Sequence, residues 1–472
     1  MALGWAINGM IGSAPGAAIP GAFIGMAVAG ILGVARDDRQ GESLPGLGLA
    51  RIAAFGAIGF WFGGEMTYGQ MFGLTNVNVA GGSHYWWGIL GTAVKGSAWQ
   101  GVGAACIGLG LMRGRYRWWE IALLMAAMTA ASVAGVWLLN RPWGPSDSLP
   151  PVCFSYDPVD PANPDNLPRT EHWAGLWAGL IVLLVYAGLI KRDRVTFRFG
   201  VFGVLGGGLG FSVGQMLQAF SWAHPEFALR PWIDWWKVME LTFGFIGGVF
   251  IALAALTTPR QALRSDTPDP KSAPLAVEWL GMGAWVLMVV GYFVREPVTS
   301  FLAVLPFVAG IVALSGLAFG RWWPWVVVGV QVPLGTSWIT ATEVLRAYPE
   351  DTGWTTNDGR IVGFFEVLSH AWPMLAIGLL ACAVPIWIWL YRRPGKANAA
   401  ACIFRLFVGY HLFAVIVQMV WQTLHSAASW RWTDLVSFSR PFWMLVAVYL
   451  VCWTASMIWL PGSAPARTSS AR

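Results

Sequence analysis

"VFGVLGGGLGFSVGQ", Val201 to Gln215, carries no charged residue and almost no polar one. It lies inside a longer apolar run over residues 199–222. About 20 apolar residues cross the hydrocarbon core of a bilayer as a helix. With no water at that depth, backbone N–H and C=O groups must pair within the segment, so the span is helical rather than extended. Its glycines recur three and four residues apart and offer surfaces where a neighbouring backbone can approach closely.

Runs of this kind recur along the chain. Only 11% of its 472 residues are charged and 56% are hydrophobic, against roughly 25% charged in soluble domains. No soluble core of this size hides so much apolar surface. The runs do not alternate apolar with polar residues, which argues against a transmembrane barrel. The reading is an all-α, polytopic integral membrane protein with about 13 transmembrane helices. They fall near 3–35, 47–74, 85–112, 118–140, 172–190, 199–222, 233–257, 275–294, 298–319, 323–345, 361–390, 403–424 and 437–460. Pro15 and Pro20 leave room for a break in the first. A single transmembrane domain then covers 1–460, followed by a polar tail, 461–472, expected to be disordered.

Basic residues mark every second loop. Arg36, Arg39 and Arg51 form one group; Arg113, Arg115 and Arg117 a second; Lys191, Arg192, Arg194 and Arg198 a third; Arg392, Arg393 and Lys396 a later one. Intervening loops hold only one or two arginines each, such as Arg141 and Arg169, Arg230, or Arg346 and Arg360. The positive-inside rule then places the N-terminus outside and the C-terminus in the cytoplasm of a cell (inner) membrane protein. No basic n-region precedes the first run, so it reads as retained rather than as a cleaved signal. The longest outside loop, 141–171, holds eight prolines. It reads as a solvated extracytoplasmic connector more readily than as a lid.

The chain contains an internal resemblance. "GGEMTYGQMF" (63–72) aligns with "GLGFSVGQML" (208–217), and "YWWGIL" (85–90) with "DWWKVM" (234–239). A weaker third copy runs through "GVQVPLGTSW" (329–338) and "GFFEVLSH" (363–370). These matches suggest parallel internal repeats of about four helices, with units near 1–140, 172–294 and 298–424 plus the helix 437–460. The chain holds 57 glycines and 31 tryptophans. The glycines suit close helix packing. Tryptophans cluster near span ends, as an aromatic girdle does, or as a stacking surface for a ligand.

Ionisable groups inside spans are costly, roughly 2.5–3.5 kcal/mol each on insertion scales, so each needs a partner or a role. Those within spans are Glu65, Lys95, Lys237, Glu240, Glu343, Glu366 and His370, with His411 deeper. Most fall toward the expected outer face. Gln70, Gln100, Gln215, Gln218, Gln331, Gln418 and Gln422 add neutral hydrogen-bonding groups. Lys237 and Glu240 are i,i+3, Glu366 and His370 i,i+4, so each pair shares a helix face. Glu65 and Lys95 stand at comparable depth on consecutive antiparallel spans and are candidates for an interhelical ion pair. Glu65 is opposite Gly210 in the repeat, so this acid breaks the internal symmetry.

Glu65, Gln70, Lys95, Gln215, Lys237, Glu240, Glu366 and His370 form the candidate substrate-binding set. The expected function is a membrane transporter or channel for a small polar or sugar-like solute, with proton coupling through an acid such as Glu65. The alternative is a membrane-embedded transferase acting on a lipid-linked or glycan substrate at the outer face, with His84, His172, His224, Glu366 and His370 as acid–base candidates. No catalytic motif, Cys/His metal spacing or cofactor motif supports the enzyme reading. The five cysteines are scattered and predict no disulfide framework. Expected partners are the lipid bilayer and a small-molecule solute or lipid-linked substrate; nothing points to nucleic acid.

Overall fold

The computed structural model describes residues 1–2, 4–5, 13–32, 47–64, 72–75, 85–112, 115–140, 154, 171–227 and 233–263. It also describes isolated positions at 276, 279, 447, 448, 450, 451 and 454. Among these residues the structure is helical and contains no strand. The helices are α1 (Ser13–Leu32), α2 (Leu47–Gly64), α3 (Phe72–Thr75), α4 (Tyr85–Leu111), α5 (Trp118–Gly135), α6 (Trp173–Val185), α7 (Arg194–Ala223), α8 (Trp235–Leu256) and α9 (Arg260–Leu263). Single π-helical turns extend α5 over Val136–Asn140 and α6 over Tyr186–Ile190.

Four helices among the described residues are long and apolar enough to cross a membrane: Trp118–Asn140, Trp173–Ile190, Arg194–Ala223 and Trp235–Leu256. Their large apolar side chains are not all turned inward. Leu123, Trp137, Leu189, Phe245 and Leu256 are all more than half exposed. Such a belt is the mark of a helix whose outer face meets lipid rather than water. The spans expected at 275–294, 298–319, 323–345, 361–390, 403–424 and 437–460 lie almost wholly outside the described residues. Helix α1 runs through Pro20 without ending there.

The bundle is built on α4, which packs against α2, α6 and α7, while α7 also packs against α8 and α1 against α2. Glycines set how close these axes come. A Cβ on Gly207 would collide with the Gly96 carbonyl oxygen, and one on Gly203 would lie 2.5 Å from the Gln100 carbonyl oxygen. Further along the pair, Gly108 meets Thr196. The contacts run in opposite directions along the two helices, so α4 and α7 are antiparallel with backbone against backbone. The same arrangement joins Gly21 to Gly56 between α1 and α2, and Gly175 to Ser132 between α5 and α6. Without a hydrophobic force to pair helices in lipid, this close approach maximises dispersion and weak backbone contacts.

Polar clasps close both ends of the bundle. At one end Asp193, fully buried, accepts from the N–H groups of Val195 and Thr196 at 3.0 Å and from the Tyr116 hydroxyl at 2.7 Å. It thereby caps α7, satisfying donors that a helix start leaves open. Lys191 reaches Glu120 at 2.7 Å beside it. Burial, and then the Asp193 carboxylate, hold the Tyr116 hydroxyl well above the usual phenol range. Arg192 makes the tight link into α7 with φ 53°, in the left-handed region.

At the opposite end Asn140, buried at the end of α5, accepts from the Ala174 N–H at 3.1 Å and so caps α6. The proline-rich segment that follows α5, expected to be solvated, is fastened at Phe154. That ring is buried, 4.8 Å from Trp87 and 5.6 Å from Trp173 between centroids. Its N–H donates to the buried Glu171 carboxylate at 2.7 Å. An aromatic residue anchors this part of the connector because two tryptophans at the starts of α4 and α6 leave it a socket.

Candidate functional site

Five aromatic side chains meet between α2, α4, α7 and α8. Trp5 lies 4.5 Å from Trp99 and 4.6 Å from Phe243 between ring centroids, and 6.0 Å from Phe60. Phe243 stacks on Phe211 at 4.8 Å and stands 6.0 Å from Trp99. All five are buried. Trp99 is fixed further by its indole N–H, which donates to the Phe60 carbonyl at 2.9 Å. Such edge and stacked contacts contribute about 0.5–1.5 kcal/mol per pair beyond burial. They form a rigid floor.

Helical spacing then places a polar layer directly over the floor. Residues three and four apart share a helix face. Lys95 is four residues before Trp99 on α4; Gln215 is four after Phe211 on the antiparallel α7; Glu240 is three before Phe243 on α8. All three steps lead toward the end of the bundle where α8 starts at Trp235. Lys95 and Gln215 are 0% exposed and Glu240 is 1% exposed. These values matter because a charge buried to that degree is stable only if it is paired and hydrogen-bonded.

The pairing of Glu240 is explicit. Its Oε2 receives the Lys237 ammonium at 2.6 Å, and its Oε1 accepts from the Trp236 indole N–H at 2.7 Å. Asp234 caps the start of α8 through the N–H groups of Trp236 and Lys237, which fixes the turn carrying both partners. The Gln215 carboxamide donates to the buried Thr75 hydroxyl of α3 at 2.6 Å. One turn away, Thr92 and Ser212 face each other at 3.4 Å, and both reach the Ile89 carbonyl. The layer thus draws polar groups from α3, α4, α7 and α8.

Of the residues expected from sequence to form a site, Lys95, Gln215, Lys237 and Glu240 belong to this layer. Glu65, Gln70, Glu366 and His370 lie outside the described residues. Thr75, Thr92, Ser212 and Trp236 belong to the layer as well and were not anticipated. The signal for Thr92, Ser212 and Trp236 was present as i±3 and i±4 spacing from Lys95, Gln215 and Glu240; Thr75, on the separate helix α3, had none. Hydroxyls and indoles inside apolar spans are common enough that spacing alone does not single them out. Among the described residues no group of three or more His, Cys, Asp or Glu side chains is placed to hold a metal ion.

Compared with known protein families, curated proteins and solved structures, the chain matches none.

Proposed function

We propose that the chain is a membrane transporter or channel that passes a small polar or sugar-like solute through the layer of Lys95, Gln215 and the Lys237–Glu240 pair. The observation that carries this reading is that Lys95, Gln215 and Glu240, on three helices, are all buried and each stand one turn from a fixed aromatic floor toward the same end of the bundle. A fold needs no such convergence for stability. Apolar side chains of equal volume pack as well, and buried ion pairs are often replaceable at no cost. A polar solute crossing a bilayer does need it. Hydrogen-bond donors and acceptors must replace its water at depth, and a ring floor suits the apolar face of a sugar.

Glu65 completes the proposal. It follows Gly63, the α2 glycine packed against Trp99, and Lys95 is one turn from Trp99 on α4. Glu65 itself lies outside the described residues; a carboxyl on this part of the sequence that exchanged a lysine partner for a proton would couple solute movement to proton movement. The parallel repeats of about four helices, the inner-membrane location, and the N-out, C-in orientation from the arginine-rich loops belong to the same reading.

The test is uptake into proteoliposomes over a panel of labelled sugars, polyols and amino acids, with and without a pH gradient. Glu240→Gln should lower flux of the accepted solute about tenfold or more, because a hydrogen bond to a charged group contributes ~1.5–3 kcal/mol. Glu65→Gln should abolish the response to the pH gradient while leaving exchange. Well-folded protein that moves none of the panel, yet converts a lipid-linked donor, would replace transport with the transferase reading.

A further inference from the structure

At the aromatic floor itself, on the side away from the polar layer, lies a second set of polar groups. Gln100 follows Trp99 on α4 and is 0% exposed. Neither its amide nitrogen nor its amide oxygen has a hydrogen-bond partner among the described residues. The indole nitrogen of Trp5, also 0% exposed, has none either. Natural proteins rarely leave such groups unmet, and each orphan deserves a reason.

The two orphans meet the same stripe of α8. A Cβ on Gly247 would fall within the Gln100 carboxamide, and a Cβ on Gly244 would lie 2.7 Å from Trp5 Cδ1, the atom bonded to the unpartnered nitrogen. Gly244 and Gly247 are i,i+3 and share a face. Neither carries a side chain that can separate what rests on them. Two glycines therefore hold an indole donor and a carboxamide, with its donor and its acceptor, on consecutive turns of one helix face. Gly203 and Gly207 of α7 border Gln100 from the other side through its backbone and Cβ. The side chains nearest to these two glycines, the Gln100 carboxamide and the Trp5 indole, carry no charge.

We infer that the Gly244–Gly247 face of α8 is a binding site for a single uncharged hydroxyl group, held between the Trp5 indole N–H and the Gln100 carboxamide. A hydroxyl accepts from the indole and from the amide N–H while donating to the amide oxygen, so it satisfies every orphan atom. The match survives exchange of the amide oxygen and nitrogen, since one of each is present either way. An ion would lose its hydration with no charged side chain among these contacts to meet it. The hydroxyl comes either from a buried water or from a small polyol; the chemistry is shared.

The experiment compares thermal unfolding of the full chain in lipid nanodiscs, followed by circular dichroism, for Gln100→Met, Trp5→Phe and the double variant. A bound hydroxyl predicts that each single variant lowers Tm by about 2 °C or more. The double variant should fall by less than their sum, because either change already breaks the bridge. Gln100→Met with an unchanged or raised Tm would overturn the site, since an isosteric apolar side chain only improves a dry orphan. Glycerol and erythritol separate the sources. A polyol-induced rise in Tm that is larger in the wild type than in Gln100→Met identifies a polyol; equal rises identify water. If Gln100→Met does not fold, water-edited solid-state NMR of the wild type decides. Magnetisation reaching the Trp5 indole N–H from a bound hydroxyl supports the site, and its absence refutes it.

Discussion

Glu240 has two hydrogen-bond donors pinned on it at 2.6 and 2.7 Å in a place with almost no solvent. Removing one partner of a buried pair leaves the other charge unmet and costs about 3–5 kcal/mol. Lys237→Met alone should therefore destabilise the protein severely, whereas Lys237→Met with Glu240→Leu should restore most of the loss. Thermal melts of the three proteins check this. Recovery of stability without recovery of flux would separate the pair's transport role from its structural one. Tyr116 makes a prediction in pH. An unfolded phenol ionises near pH 10, and the native one is held above that by burial and by Asp193. The neutral form is thus favoured in the native state, so the unfolded state loses its proton first as pH rises. This contribution is complete below about pH 10 and declines above it. The alkaline limb of a Tm–pH curve should be shallower in Tyr116→Phe. The Lys237–Glu240 contact was legible in sequence because i,i+3 spacing on a helix fixes a shared face. The convergence of Lys95, Gln215 and Glu240 was not, because it depends on the rotation of three helices about their axes.

At the scale of elements, helix boundaries followed from apolar run length. Runs at 85–112, 118–140, 172–190 and 233–257 correspond closely to α4, α5 with its π turn, α6 with its π turn, and α8. The glycines of 201–215 were legible as packing surface but not as to partner. The structure assigns Gly207 and Gly203 to α4, and Gly206, Gly210 and Gly214 to α8. This division makes α7 the seam of the bundle. Gly207→Val should break α4–α7 packing, since the Gly96 carbonyl oxygen occupies the position of its Cβ. Among the described residues Gly248→Ala meets only Met1, its nearest atom at 3.1 Å, and should change little. A chemical-denaturation or detergent-resistance series would rank the two. The turn between α6 and α7 offers a gain instead. Arg192 holds a left-handed φ that costs a non-glycine residue roughly 1–2 kcal/mol. Arg192→Gly should relieve this strain at some expense in unfolded-state entropy, giving an equal or slightly higher Tm.

Over the whole molecule, α7 is 30 residues long, or about 45 Å at 1.5 Å per residue. That exceeds a hydrocarbon core of about 30 Å, so the helix must tilt or extend beyond the core. Composition alone made membrane residence legible, since so few charges leave no other solvent for the apolar belt. In the connector after α5, the burial of Phe154 was not legible. A short "CFSY" in a proline-rich stretch does not announce that its phenylalanine docks between Trp87 and Trp173, because those residues belong to distant helices.

That docking point divides the connector into two arcs. Each arc joins fixed points, so each closes at lower entropic cost than one long unsupported loop would. A nick in either arc then leaves both halves of the chain attached to the bundle, through Phe154 on one side and through the packed helices on the other. Two separately expressed fragments divided within residues 155–170 should accordingly reassemble into a protein that melts as one unit. Phe154→Ala should weaken that reassembly, which the packing of α4 on α7 and of α5 on α6 still supports, while only modestly lowering the Tm of the uncut chain.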